Sequence, residues 1–184
     1  MKKMIAVLAL SLSCLIVFAQ EKTTTTIPYR SFIAEVGGPG ALFSVNYDTR
    51  FKKEQFGFGV RVGVGFTTGS RYYTIPQPGG GGFYTNYKDV SPLTIPIQLN
   101  YIFGKPDSKS ALEVGAGATY IGKYSDMFYY YGEENSKAKI LGNTSFMYRR
   151  MPTNGGFSWR VGFTPLIGNG VIYPSAAASV GFNF

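Results

Sequence analysis

The sequence predicts an all-β chain, an eight-stranded antiparallel up-and-down transmembrane β-barrel. Three observations carry this. Apolar residues recur at every second position through most of the chain, the period of a strand with two unlike faces. Charged residues make up 15% of the 184, while aromatics make up 16% and glycines number 24. A soluble domain is about 25% charged. Beyond the N-terminal segment, no apolar run reaches the ~20 residues that a membrane helix needs. The length suits one domain.

The chain opens with Met1-Lys2-Lys3, a basic start, followed by an apolar run from Met4 to Phe18. Val17-Phe18-Ala19 then precedes Gln20. This is the pattern of a cleaved secretory signal peptide over 1–19. Its removal takes away Lys2 and Lys3 and lowers the formal charge from +8 to +6. Cys14 is the single cysteine. A lipid-anchored reading competes for it, but the apolar run continues through Leu15, Ile16, Val17 and Phe18, where a polar tether should begin. Cys14 therefore leaves with the signal, and the mature chain has no disulfide. A Thr-rich stretch over 20–30 reads as a short lead, and 31–184 as the barrel.

Each strand is then read from its alternation. Ser31 to Gly37 sets Phe32, Ala34 and Val36 on one side. Gly38-Pro39-Gly40 is a turn signal. Ala41 to Phe51 resumes with Phe43, Val45, Tyr47, Thr49 and Phe51, and Lys52-Lys53-Glu54 turns the chain. Phe56 to Phe66, "FGFGVRVGVGF", is the clearest strand, with Phe and Val on one face and Gly and Arg61 on the other. The segment 67–91, with Pro76, Pro78 and Gly79 to Gly82, reads as a long loop.

Pro92 to Phe103 alternates again, and 104–110 is a polar turn. Ala111 to Gly122 sets Leu112, Val114, Ala116, Ala118 and Tyr120 against Glu113, Gly115, Gly117 and Thr119. A polar, Tyr-rich loop follows, with the exposed stretch placed at 123–142. Thr144 to Met151 and Phe157 to Leu166 are the next strands, joined by a turn at 152–155. Gly168-Asn169-Gly170 leads into the last, from about Tyr173 to Phe184. Most strands have the ~9–11 residues that cross a bilayer at a tilt. Short polar turns alternate with longer connections, the rhythm of an up-and-down barrel.

The faces differ in kind. One is lined with Phe, Tyr, Val and Leu, the other with Gly, Ser, Ala and Thr and a few charges of both signs: Glu35, Asp48, Arg50, Arg61, Glu113, Arg149 and Arg160. An eight-stranded barrel is only wide enough for side chains to fill, so charges inside it should pair. The candidate interior ion pairs are Glu35, Asp48, Arg61, Glu113, Arg149 and Arg160. The specific expectation is that Glu113 pairs with Arg149 or Arg160.

Signal peptide, alternating strands, glycine-rich inner faces and the terminal "GFNF" together resemble the small outer-membrane β-barrel proteins of Gram-negative bacteria, of the OmpA and OmpX type. The likeness runs through "GPGALFSVNYDTRF", "FGVRVGVGF", "TIPIQLNYIFGK", "LEVGAGATYIG" and the last strand. It implies outer-membrane lipid as the surroundings and a periplasmic lead at 20–30. It also implies an insertion signal, Phe182 and Phe184, read by the barrel-assembly machinery. The usual upstream glycine of that signal is displaced, with Ser179 near its place and Gly181 nearer the end.

The chain has no histidine. A serine or water nucleophile would lack its usual base, and the reading is that the protein is no enzyme and uses no cofactor. With no histidine and no mature cysteine, only oxygen ligands such as Asp126, Glu133 and Glu134 could hold a metal, and these read as solvated loop acids. Gly79 to Gly82 lacks the Lys-Ser/Thr of a phosphate loop. No basic run with stacking aromatics suggests nucleic acid. Three functions stay open at this point. The first is a structural or surface-interaction role through the loops 67–91 and 123–142, with an extracellular ligand or partner there. The second is a narrow passive channel, for which inner-face glycines leave room. The third is a soluble ligand-holding barrel.

Overall fold

The structure, a computed structural model, describes residues 27–76, 79, 81–122, 140–168 and 170–184. The signal peptide 1–19 with Cys14, most of the lead 20–30, and the loop residues 123–139 with Asp126, Glu133 and Glu134 lie outside the described residues.

The strands are β1 (Arg30–Gly37), β2 (Phe43–Arg50), β3 (Gly57–Phe66), β4 (Gly69–Pro76), β5 (Phe83–Val90), β6 (Leu93–Phe103), β7 (Ser110–Ile121), β8 (Ile140–Arg150), β9 (Gly156–Phe163), β10 (Leu166–Gly168), β11 (Val171–Tyr173) and β12 (Ala176–Asn183). A 3-10 turn, Gly38–Gly40, joins β1 to β2. Eight antiparallel strands run round the barrel in the order β1, β2, β3, β6, β7, β8, β9, β12, and β12 returns to β1. Closure registers Ser31 with Asn183 and Gly37 with Ala177. It extends to the last residue: Arg30 N donates to Phe184 O at 3.1 Å and Phe184 N to Arg30 O at 2.9 Å. No strand of this ring is left with an unpaired edge, the one arrangement of strands that lipid tolerates.

Two sequence expectations are corrected. The segment 67–91 is not a loop but a hairpin, with β4 and β5 paired from Gly69–Val90 to Pro76–Phe83. Its strands are rich in Tyr, Thr and Ile, which favour the extended backbone. Both of its faces are largely exposed, so it needs no apolar–polar alternation and gave none to read. The sixth barrel strand begins at Ile140, not Thr144, so 140–142 belong to the barrel wall. Gly142 and Asn143 look like a turn in sequence, but they stand opposite Ala118 and Gly117.

Proline marks the interruptions. The β3–β6 ladder lapses opposite Ile95 and Pro96, since proline has no N–H to give. Pro165 separates β9 from β10, and Pro174 separates β11 from β12. These breaks face each other, bridged by Thr164 N donating to Ser175 O at 2.8 Å. The register is the same on both sides, with Phe163 opposite Ala176 and Leu166 opposite Tyr173. The two segments thus form one long hairpin that rises past the ring.

The barrel has two unlike ends. At the turn end lie the short connections 51–56, 104–109 and 151–155. At the loop end lie the 3-10 turn, the β4–β5 hairpin and the β10–β11 tip. Between them the outer wall is apolar, with Phe32, Phe58, Val64, Leu99, Phe146 and Phe163 all exposed, the last to 70%. The inner side is the buried one, and it is polar.

Candidate functional site

Side chains in a strand alternate between faces, so the positions between those apolar residues point inward. β1 supplies Ser31, Ile33 and Glu35; β2 supplies Ser44, Asn46, Asp48 and Arg50; β3 supplies Arg61. β6 adds Thr94, Gln98 and Asn100, β7 adds Glu113 and Thr119, and β8 adds Asn143, Ser145 and Arg149. β9 and β12 complete the ring with Ser158, Arg160, Ser179 and Asn183. All are at most 5% exposed.

Glu113 is the hub, at 0% exposure. Its Oε1 accepts from Arg61 Nη2 at 2.5 Å and Arg160 Nη1 at 2.8 Å, and its Oε2 accepts from Arg149 Nη1 at 3.1 Å. Arg160 Nη2 reaches Glu35 Oε2 at 2.5 Å, and its Nε donates to Ser179 Oγ at 2.8 Å. Asp48 Oδ2 accepts from Arg149 Nη1 at 2.8 Å and lies 3.6 Å from Arg61 Nη2. Asp48 Oδ1 accepts from Asn100 Nδ2 at 3.0 Å and from Arg50 Nη2. Arg149 Nη2 also donates to Ser31 Oγ and Asn183 Oδ1, at 3.2 and 3.1 Å. Burying an ion costs several kcal/mol. Several charge-assisted hydrogen bonds to Glu113 and to Asp48 offset that cost, while Glu35 takes one, from Arg160.

The structure therefore brings Glu35, Asp48, Arg61, Glu113, Arg149 and Arg160 into one interior cluster. Glu113 meets both Arg149 and Arg160, and also Arg61 from two strands away in the ring. Arg50 is the charged member that sequence reasoning left out of the pairing. The signal was available, because Asp48 and Arg50 are two apart on one strand and so share its inner face. Among the described residues the cluster holds four guanidinium groups and three carboxylates. Phe182 and Phe184 stand outside, on the apolar wall, where the Phe184 ring stacks on Phe32 with centroids 5.5 Å apart.

Neighbours occupy the space beside two of the inner-face glycines. A Cβ on Gly59 would lie 2.3 Å from Arg50 Cζ. One on Gly115 would lie 2.7 Å from both the Gln98 amide carbon and Ser145 Oγ.

A hydrogen-bonded file links the cluster to the loop end. Arg61 Nη1 donates to Gln98 Oε1 at 3.2 Å, Gln98 Nε2 to Asn143 Oδ1 at 3.0 Å, and Asn143 Nδ2 to Thr119 Oγ1 at 3.0 Å. Thr119 Oγ1 then donates to Pro39 O at 2.6 Å, and Thr94 Oγ1 to Gly40 O at 2.9 Å. The Gly38–Gly40 turn is wholly buried, folded down into the mouth instead of away from it. Gly38 has φ +75°, and a Cβ there would lie 2.6 Å from Glu35 Oε1. Only glycine suits both conditions.

An apolar cluster lies at each end of the polar interior. At the loop end, Ile121, Leu141 and Leu166 pack with Ala41 and Tyr173. At the turn end, Ile102, Ala111 and Met151 pack with Phe56. The charged layer thus lies between two apolar clusters.

No protein-family model matches the chain, and no curated protein matches it. Two solved structures do resemble it. The Yersinia pestis outer membrane protein Ail, solved as a backbone structure in a phospholipid bilayer nanodisc, is 15% identical with TM-score 0.46, over 85% of this chain and 99% of that one. The N-terminal β-barrel domain of Pseudomonas aeruginosa OprF is 14% identical and superposes with TM-score 0.52, over 87% of this chain and 98% of that one, so that what the chain shares with it is the fold of a small closed β-barrel.

Proposed function

We propose that the chain is an integral outer-membrane barrel whose interior is plugged, with no catalytic role, and which acts as a structural or surface-interaction protein through its loop end. The observation that carries this is the inversion of its faces. The outer wall exposes Phe, Val, Leu, Tyr and Trp159 in a continuous band, while seven charged side chains among the described residues are buried inside. In water this places both kinds of surface in the wrong solvent. In a bilayer the outer band meets hydrocarbon, and the interior is shielded from it.

Three features favour the plugged form over a channel or a soluble ligand-holding barrel. Ion pairs span the interior from β3 to β7 and from β1 to β9. Apolar stoppers lie at both ends. The Gly38–Gly40 turn fills the mouth. The interior carboxylates are committed to arginines, and no histidine exists to serve as a base. With the turn end toward the periplasm, the β4–β5 hairpin faces outward as a contact surface. The signal at Phe182 and Phe184 would then deliver the chain to the barrel-assembly machinery. Membrane fractionation tests the assignment. Protein expressed in a Gram-negative host should sediment with outer membranes and resist extraction by urea or carbonate. Recovery in the soluble fraction without detergent would sink it.

A further inference from the structure

At the turn end, a cleft of about 570 Å³ opens beside the β6–β7 connection. Its lower wall is made of Tyr101, Phe103, Leu112 and Tyr148 from three adjacent strands. Its upper edge is polar, with Lys105, Ser108 and Ser110. The Tyr148 hydroxyl and Ser110 Oγ lie 2.9 Å apart at the boundary. Phe56 forms the inner side and sits where Gly104 has no side chain, since a Cβ there would lie 2.1 Å from the Phe56 ring.

The charge around this cleft is one-sided. Among the described residues, the turn end carries Arg30, Lys52, Lys53, Lys105, Lys109 and Arg150, all exposed, against Glu54 and Asp107. Lys105 and Lys109 flank the cleft's own connection, and Arg150 stands opposite Ser110 in the ladder. An aromatic wall under a cationic, hydroxyl-bearing edge matches an amphiphile with an anionic head.

Resting on the membrane reading above, we propose that this cleft seats one anionic phospholipid of the leaflet on the turn side. Its acyl chain lies along Tyr101, Phe103 and Leu112, and its phosphate faces Lys105 and the Ser110–Tyr148 hydroxyl pair. A basic residue at a membrane surface favours an anionic lipid by about fivefold, so the site should be enriched in that lipid relative to the bulk bilayer.

Trp159 is a built-in reporter. It is the only tryptophan of the chain, and its ring packs on Tyr148 with centroids 5.6 Å apart. The full chain is refolded into phosphatidylcholine vesicles holding the same small fraction of brominated phosphatidylglycerol or brominated phosphatidylcholine. Trp159 quenching should show about fivefold preference for the phosphatidylglycerol. Lys105→Gln should abolish that preference, while Arg30→Gln, across the barrel on β1, should keep it. Strong but equal quenching by both lipids overturns the site and leaves the membrane reading standing. A preference lost equally in both variants reduces the effect to a general basic rim and also overturns it. Absence of quenching by either lipid removes the membrane reading itself, and the proposal with it.

Discussion

Arg61 Nη2 stands 2.5 Å from Glu113 Oε1, although β3 and β7 are separated in the barrel wall by β6. The contact is made across the interior instead of along the wall. Arg149 and Arg160 reach the same carboxylate from β8 and β9. Replacing Glu113 with Gln keeps the shape and removes the charge that three guanidinium groups share. Breaking a buried pair typically costs about 3–5 kcal/mol, and Glu113→Gln should lose at least that much in urea unfolding from vesicles. Lys53→Gln, on an exposed turn, should change stability by less than about 0.5 kcal/mol. Equal stability of the two variants would mean the cluster is a bystander.

Glycines of the β7 segment should separate by what their missing side chain would meet. A Cβ on Gly117 would lie 2.0 Å from Ile97 O, a backbone atom that cannot step aside. On Gly122 the nearest atom is 3.5 Å away, an ordinary contact. Gly117→Ala should cost about 1–3 kcal/mol, as overpacking does, and Gly122→Ala should be nearly neutral. Folding yield into detergent, read by the mobility shift between heated and unheated samples, checks both.

The buried turn is tied down by two hydroxyls, Thr94 on Gly40 O and Thr119 on Pro39 O. Thr94→Val should free it by about 1 kcal/mol, the net worth of one hydrogen bond, and Thr119→Val by at least as much, since it also strands Asn143 Nδ2. The readout is hydrogen exchange at the amides of Gly37 and Ala41, which bond within the turn to Leu42 O and Gly38 O. Exchange should quicken roughly fivefold in Thr94→Val and at least as much in Thr119→Val. Unchanged protection would show that packing alone holds the turn.

Phe184 tests whether closure and delivery are separate. Its backbone pairs with Arg30 whatever the side chain, and its ring adds the stack on Phe32. Phe184→Ala should therefore cost only about 0.5–1.5 kcal/mol beyond its lost burial, yet lower outer-membrane levels many-fold if the ring is an insertion address. Near-normal levels in membranes would remove that role.

The barrel was legible because lipid and a narrow interior impose unlike demands on alternate residues. Phe58, Val60, Val62 and Val64 against Gly59, Arg61, Gly63 and Gly65 shows the alternation without any tertiary information. The β4–β5 hairpin was not legible for the converse reason: with both faces exposed, Tyr73, Tyr84 and Tyr87 carry no period. That charges would sit inside could be read, and so could the meeting of Glu113 with Arg149 or Arg160, but not the contact of Glu113 with Arg61. The Arg61–Glu113 contact depends on barrel diameter and strand stagger, which no single strand records. Asp48–Arg50 was the exception, a pair fixed by one strand's own geometry. The inward fold of Gly38–Gly40 left only a turn signal in the sequence, since its partners, Thr94 and Thr119, lie far along the chain.

The central claim is that this interior is closed. Conductance across planar bilayers tests it most directly, with refolded wild-type protein under applied voltage of either sign. The charged layer, the two apolar stoppers and the buried turn predict a silent membrane. Steady, stepwise openings by the folded protein would contradict it and restore the channel reading.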